Sequence, residues 1–241
     1  MKKENTFILK PLIQAGLAIC LLLLVGVSCK KTDKTYVNYQ PTAGNFNGSA
    51  LQYLQAQPGL YDSMLLVLKR VPRLADSLSK AEVTLFAVPN KSFSLALQNI
   101  NQARKDSIPS MPAISWSTIN AAVIDSFLCR YILHGKHVST DISNLADGLF
   151  FPTIGYTSRT GTDTSYNMQM QFTRTNASGY VGGGPKAIIY SDPKGSIFFR
   201  YWVRVNTITV DIKSSNAIVH LLPPGHDFGF GDEFVKAVNF R

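Results

Sequence analysis

The period of the hydrophobic pattern changes along this chain, and that change limits the fold more than any single motif. In the first half apolar residues recur at helical spacing: Tyr61, Met64, Leu65 and Leu68, then Leu74 and Leu78, then Ile119, Val123, Phe127 and Tyr131. In the second half the spacing is that of strands. Met168-Gln169-Met170-Gln171-Phe172 alternates strictly, which predicts a half-buried strand. Lys186 to Tyr190, Ser196 to Val205, Thr207 to Ile212 and Ile218 to Leu222 are further β-rich runs. One short β-like run, Val83 to Val88, interrupts the helical half. Helices first and strands later favour an α+β fold, with N-terminal helices packed on a mixed or antiparallel sheet core.

Local signals place the boundaries. Ser49 caps a short helix through Gln55, which Pro58-Gly59 ends, and Asp62 caps the next. Pro89-Asn90 stops the first strand, and Asn90 is a cap for a helix from Lys91 to Ile100. A polar stretch with Pro109 and Pro112 follows, and Gly135 closes the helix that carries Ile119 to Tyr131. Between Tyr156 and Pro185 the chain is rich in Thr, Ser, Asn and Gly, the composition of hairpins and loops.

The first residues read as an address. Met1-Lys2-Lys3 precedes an apolar stretch from Leu17 to Val27 that ends in Gly26-Val27-Ser28-Cys29. The run is shorter than the roughly 20 residues of a spanning helix. A cysteine directly after small residues resembles the lipobox of bacterial lipoproteins, which implies a signal peptide over 1–28 and acylation of Cys29 as the lipid anchor. Residues 29–47 are polar and aperiodic, a flexible tether, and 48–241 form one domain. Lys30 follows Cys29 where retention at the inner membrane would call for Asp, so an outer-membrane lipoprotein is expected, facing the surface or the periplasm.

Charge and cysteine usage narrow the function classes. The formal net charge is +9, and Lys2, Lys3, Lys10 and Glu4 leave with the leader. Lys/Arg runs never exceed two residues, so nucleic-acid binding is not expected. Cys20 lies in the leader and Cys29 carries lipid, which leaves Cys129 as a buried free thiol on a helix face, without a disulfide.

Three segments together resemble the fasciclin domain: Thr84-Leu85-Phe86-Ala87-Val88-Pro89-Asn90-Lys91-Ser92-Phe93, Tyr131 to Lys136, and Asp211 to Pro223. Their order and spacing agree over about residues 45 to 224. The resemblance implies a fasciclin-like fold and structural roles for Thr84, Phe86, Ala87, Asn90, Phe93, Asp211, Asn216 and His220. It also implies adhesion. Arg130-Tyr131 stands where a Tyr-His pair is usual, so integrin binding is not carried over. Ala217 replaces a usual Gly and would strain the turn if that position needs positive φ. The segment 148–196 is longer than the compact family core and reads as an inserted set of hairpins.

Enzyme signatures are thin. His134 and His137 flank a turn without a partnering ligand, so neither metal nor cofactor is expected. His220 is read as a core histidine that fixes the turn at Asn216. Gly182-Gly183-Gly184-Pro185-Lys186 lacks phosphate-loop spacing and reads as a hairpin loop. Asp227, Asp232 and Glu233 sit in a Gly-Phe-rich tail. The better lead is aromatic. If Phe198 to Trp202 is a strand, Phe199 and Tyr201 share one face, and Phe198, Arg200 and Trp202 the other. With Tyr180 and Tyr190 nearby, the outward face is a candidate platform for a sugar ring or a protein partner. The expected function is therefore non-catalytic binding of an extracellular protein or glycan. The alternatives are an envelope enzyme acting on polysaccharide, and a purely structural envelope protein.

Overall fold

The computed structural model describes residues 44–145, 149–158, 160–175 and 181–239. Cys29, the leader, most of the tether and Tyr180 lie outside the described residues. No helix among these is long and apolar enough to cross a membrane.

Three short helices come first: α1 (Ala50–Gln55), α2 (Asp62–Lys69) and α3 (Pro72–Lys80). Ser49 starts α1 through a capping box with Gln52, which satisfies two backbone donors reciprocally. Asp62 is not the cap of α2 but its first residue, where its charge suits the helix dipole. Strand β1 (Val83–Ala87) then leads into the long helix α4 (Asn90–Ser107), which runs seven residues past the expected end at Ile100. Helix α5 (Ala121–Leu128), capped by Asn120, continues as a 3-10 turn, Cys129–Tyr131. Gly135 does not close that helix, because β2 (Ile132–His134) intervenes.

Two four-stranded sheets follow. In the first the order is β2-β1-β10-β9, with β9 (Thr209–Lys213) and β10 (Ala217–Leu221). Here β1 runs parallel to β10, with Phe86 opposite His220, while β2 and β9 are antiparallel to their neighbours. The second sheet is antiparallel, in the order β3-β6-β7-β8: β3 (Phe150–Pro152), β6 (Asn167–Arg174), β7 (Lys186–Asp192) and β8 (Val203–Asn206). Between β3 and β6 lies a small hairpin, β4 (Tyr156–Thr157) and β5 (Asp163–Thr164). The chain ends on α6 (Asp232–Asn239).

The two sheets meet through a stacked pair of rings, Phe86 on β1 and Tyr190 on β7, 3.6 Å apart and nearly parallel. Within 148–196, the segment expected to be inserted hairpins, Met168, Met170, Ile188 and Tyr190 all lie in the core. The alternation on β6 does not produce a half-buried strand, because Met168, Gln169 and Met170 are all buried. Gln169 is kept satisfied by donating to the Met170 carbonyl. The glycine-rich run after β6 is a hairpin loop, closed by the Gly184 N–H on the Thr175 carbonyl. The lead-in takes up structure at Asn45, ahead of the expected boundary at 48: Asn45 bridges Lys213 of β9, and the Phe46 ring packs edge-on against Tyr53.

A second aromatic cluster is built by the C-terminal segment. Phe228, Phe230 and Phe234 are fully buried against Phe93, Trp116 and Tyr131. Gly229 and Gly231 allow this because both adopt the left-handed region, and a Cβ on Gly229 would fall 2.5 Å from Phe234 Cβ. Asp232 and Glu233 thus open a packed helix within the Gly-Phe-rich tail.

Candidate functional site

The residues picked by the fasciclin resemblance hold buried or hydrogen-bonded positions at several separate points of the fold. Asn216 reaches from the β9–β10 turn to the first helices. Its Oδ1 accepts from the Ala50 N–H at 2.9 Å, and its Nδ2 donates to the carbonyls of Leu78 and Ala81 at 3.1 and 2.8 Å. Asn90 does not cap the helix that it opens. Its Oδ1 accepts from the Ser63 N–H of α2 at 2.7 Å, and its Nδ2 donates to the Gly59 carbonyl, so it caps a neighbouring helix across the fold. Pro89 takes the cap position of α4, so Asn90 is its first helical residue and its side chain serves α2, packed alongside. Thr84 donates to the Gly135 carbonyl and accepts from the His137 N–H. Ala87 and Phe93 are fully buried.

His220 is buried between β1 and β9. Its Nδ1 accepts from the Asp211 N–H and its Nε2 donates to the His137 carbonyl, which uses both nitrogens of the neutral ring. Burial pushes its pKa down to about 4. Asp211 sits in the left-handed region at φ 65, and its carboxylate takes the N–H and hydroxyl of Ser139. Ala217 is not strained: it is an ordinary strand residue opposite Val83, and the positive φ falls at Asp211 instead.

The aromatic segment departs from expectation. Phe198 to Trp202 is not a strand. Phe199–Tyr201 form a 3-10 turn, and β8 begins only at Val203. Three residues per turn align i with i+3. Phe199 therefore meets Trp202 edge-on at 4.6 Å, and Phe198 meets Tyr201 at 6.5 Å. Trp202 turns inward, 7% exposed, with its Nε1 donating to the Ser196 carbonyl, which closes the loop. Phe198 and Tyr201 remain 56% and 53% exposed, with Ile197 and Phe199 beside them. Arg200 lies over both the Phe198 and the Tyr201 ring. Trp202 and Tyr190 are thus removed from the candidate platform. Tyr190 is a core ring, fully buried against Phe86, with its hydroxyl on the Arg130 carbonyl.

Beside this loop lies a cleft of about 610 Å³ between α5, α6 and the β4–β5 hairpin. The hairpin is fixed by Asp125 of α5, which pairs with Arg73 at 2.7 Å and accepts from the Thr157 N–H. Arg130 is the charged side chain at the cleft's base, 8% exposed. Its guanidinium is held between the rings of Phe127 and Tyr166, each 4.1 Å from centroid to Cζ. Nη1 donates to Asp192 at 2.5 Å and to Glu233 at 3.3 Å. Burial opposes the charge on Arg130, but Asp192, Tyr166 and Glu233 outweigh it and hold the cation. The Tyr166 hydroxyl and the Lys194 N–H both donate to the other oxygen of Asp192. Lys194 and Lys236 pair with Asp232 outside, which keeps the Asp232 carboxyl down at about 2 through their hydrogen bonds.

Sequence reasoning reached Arg130 only as a departure from a family pattern. The available signal was a lone arginine within the apolar run Phe127-Leu128-Cys129-Arg130-Tyr131. Nothing local pointed to Asp192, Tyr166 or Lys194, which lie 36 to 64 residues further along the chain and meet Arg130 only through the sheet.

No family model matches this sequence, and no curated protein matches it. Among solved structures, the chain is similar to a FAS1 domain pair from the insect cell adhesion molecule Fasciclin I. The identity is 15%, the TM-score 0.50, and the match covers 79% of this chain and 52% of that one. The fold is thus an α+β domain of the FAS1 type. This chain spans about half the length of the domain pair that it matches.

Proposed function

We propose that this protein is a lipid-anchored, non-catalytic binding module of the cell envelope. Cys29 holds it at the outer membrane, and the loop 197–201 contacts an extracellular protein or glycan. The observation that carries this reading is that loop: three aromatic rings and an isoleucine stand in solvent on a base fixed by buried Trp202. Apolar rings displayed on a rigid base favour stacking on a sugar or packing on a partner. The FAS1 fold supports the same class, since the solved neighbour is a cell adhesion molecule.

The carboxylates that an envelope hydrolase would need are engaged otherwise. Asp227 is half-buried on Asn99, Asp232 holds two lysines, and Glu233 leans on Arg130. None of the other described residues lining the cleft with Glu233 is a carboxylate, so the pair needed across a glycosidic bond is not assembled there.

The test uses the lipidated chain on cells and the triple variant Phe198→Ser, Phe199→Ser, Tyr201→Ser. Wild-type cells should adhere to immobilised envelope polysaccharides or to beads that carry the protein. The variant should lose adhesion while its melting temperature is unchanged, and Cys29→Ala should leave the membrane fraction. Equal adhesion by wild type and triple variant, or none by either, refutes the loop as a contact and leaves a structural envelope role.

A further inference from the structure

The most unusual group in the molecule is the Arg130 guanidinium. A buried arginine ordinarily spends its donors on fixed acceptors. Here only Nη1 has partners. Nε is buried without one, and Nη2 has no acceptor among the described residues. Nε and Nη2 form one edge of the fork, the edge that takes a carboxylate side-on through two parallel hydrogen bonds. The side chain is more than nine-tenths buried and lines a cleft of about 610 Å³.

The surroundings narrow the ligand. Phe127 and Tyr166 flank the guanidinium on both faces, so an acceptor must approach in its plane. A planar carboxylate fits that slot whole, whereas a tetrahedral phosphate can set only two of its oxygens in the plane and drives the other two toward the rings. Lys194 and Lys236 also line the cleft, and Glu233 is the single carboxylate in its described lining. Glu233 is the weak partner of Arg130, 3.3 Å away through one bond to Nη1 and 38% exposed, so it opposes an incoming anion by its charge without occupying the free edge. The hairpin wall offers the hydroxyls of Tyr156, Ser158 and Thr160, and α5 adds that of Ser126. A smaller cavity of about 240 Å³ shares Tyr166 and Gly195 with the cleft and runs to Ile197, at the start of the aromatic loop.

We infer that this cleft binds the carboxylate of an acidic sugar within an oligosaccharide. The carboxylate sits on Arg130, the sugar hydroxyls meet the hydroxyl wall, and the chain extends over Tyr166 toward the aromatic loop. The inference rests on the binding-module reading above. Its failure is separable, because the variants below leave the loop intact.

The test is calorimetric titration of the purified protein at pH 7 with trigalacturonate, its methyl ester, a short peptide with a free C-terminus, and inorganic phosphate. Trigalacturonate should bind at least ten-fold more tightly than the ester. Arg130→Ala leaves Asp192 buried without its cation and is a folding risk, so two other variants carry the test. Ser126→Trp fills the cleft without touching the ion pairs and should abolish binding at an unchanged melting temperature. Glu233→Gln removes the competing carboxylate and should tighten binding several-fold. Equal binding of acid and ester, no binding of either, tighter binding of the peptide or phosphate, or indifference to both variants overturns the inference.

Discussion

Removing the Asn216 side chain gives a worked test of how this fold is tied together. Asn216→Ala breaks three hydrogen bonds at once, to the Ala50 N–H and to the Leu78 and Ala81 carbonyls. Each contributes about 0.5–1.5 kcal/mol net, so the expected loss is about 2–4 kcal/mol. For a domain of this size about 1 kcal/mol moves the melting temperature by roughly 2–4 °C, which predicts a fall of about 5–15 °C. The contacts join the β9–β10 turn to α1 and α3, so protection of those helices from amide exchange should fall first. Asn216→Asp sharpens the test. It keeps an acceptor for Ala50 but turns a carboxylate oxygen toward two carbonyls, so it should be at least as destabilising as alanine at pH 7. Thermal melts followed by circular dichroism measure both. An alanine variant that melts within 1 °C of wild type, or an aspartate variant near wild type, would refute the view that this side chain is the tie.

Two further outcomes follow from burial. Burial lowers the pKa values of His220 and His226 to about 4 and about 3, whereas in the unfolded chain both titrate near the ordinary histidine value of about 6.5. The unfolded state therefore takes up protons that the native state refuses. Stability from these groups is full above pH 6.5 and falls from there down to about pH 3, at about 1.4 kcal/mol per pH unit per group. Urea titrations across pH 3–7 should show this decline, and His226→Gln should flatten its lower part; an unchanged slope in that variant contradicts the assignment. The Cys129 thiol is pushed up to about 12 by burial and is closed off beneath Thr153. Its labelling by a thiol reagent should therefore track global unfolding in denaturant, and rapid labelling of the native protein would contradict its placement.

The sequence by itself determined the class of the fold, because class follows from local periodicity. Helical spacing at Tyr61 to Leu68 and strand composition at Ile218 to Leu222 are set by side chains a few residues apart. Ser49 likewise announced α1, since its capping box spans only four residues. The conformation of 196–202 was not legible in the same way. Phe, Tyr and Trp have strand propensity, but the hydrogen bond from Trp202 to Ser196 and the packing of Trp202 closed a turn instead. Asn90 illustrates the same limit: its type marked a cap, and only the packing of α2 beside α4 decided which helix it serves. The cleft lay furthest from view. Arg130, Tyr166, Asp192 and Glu233 span more than a hundred residues, and their meeting depends on β7 lying at the centre of the second sheet with α6 folded back over α5. Sequence pattern acts over a turn of helix or a pair of strands, whereas a charge cluster of this kind exists only once the sheets have brought distant segments together.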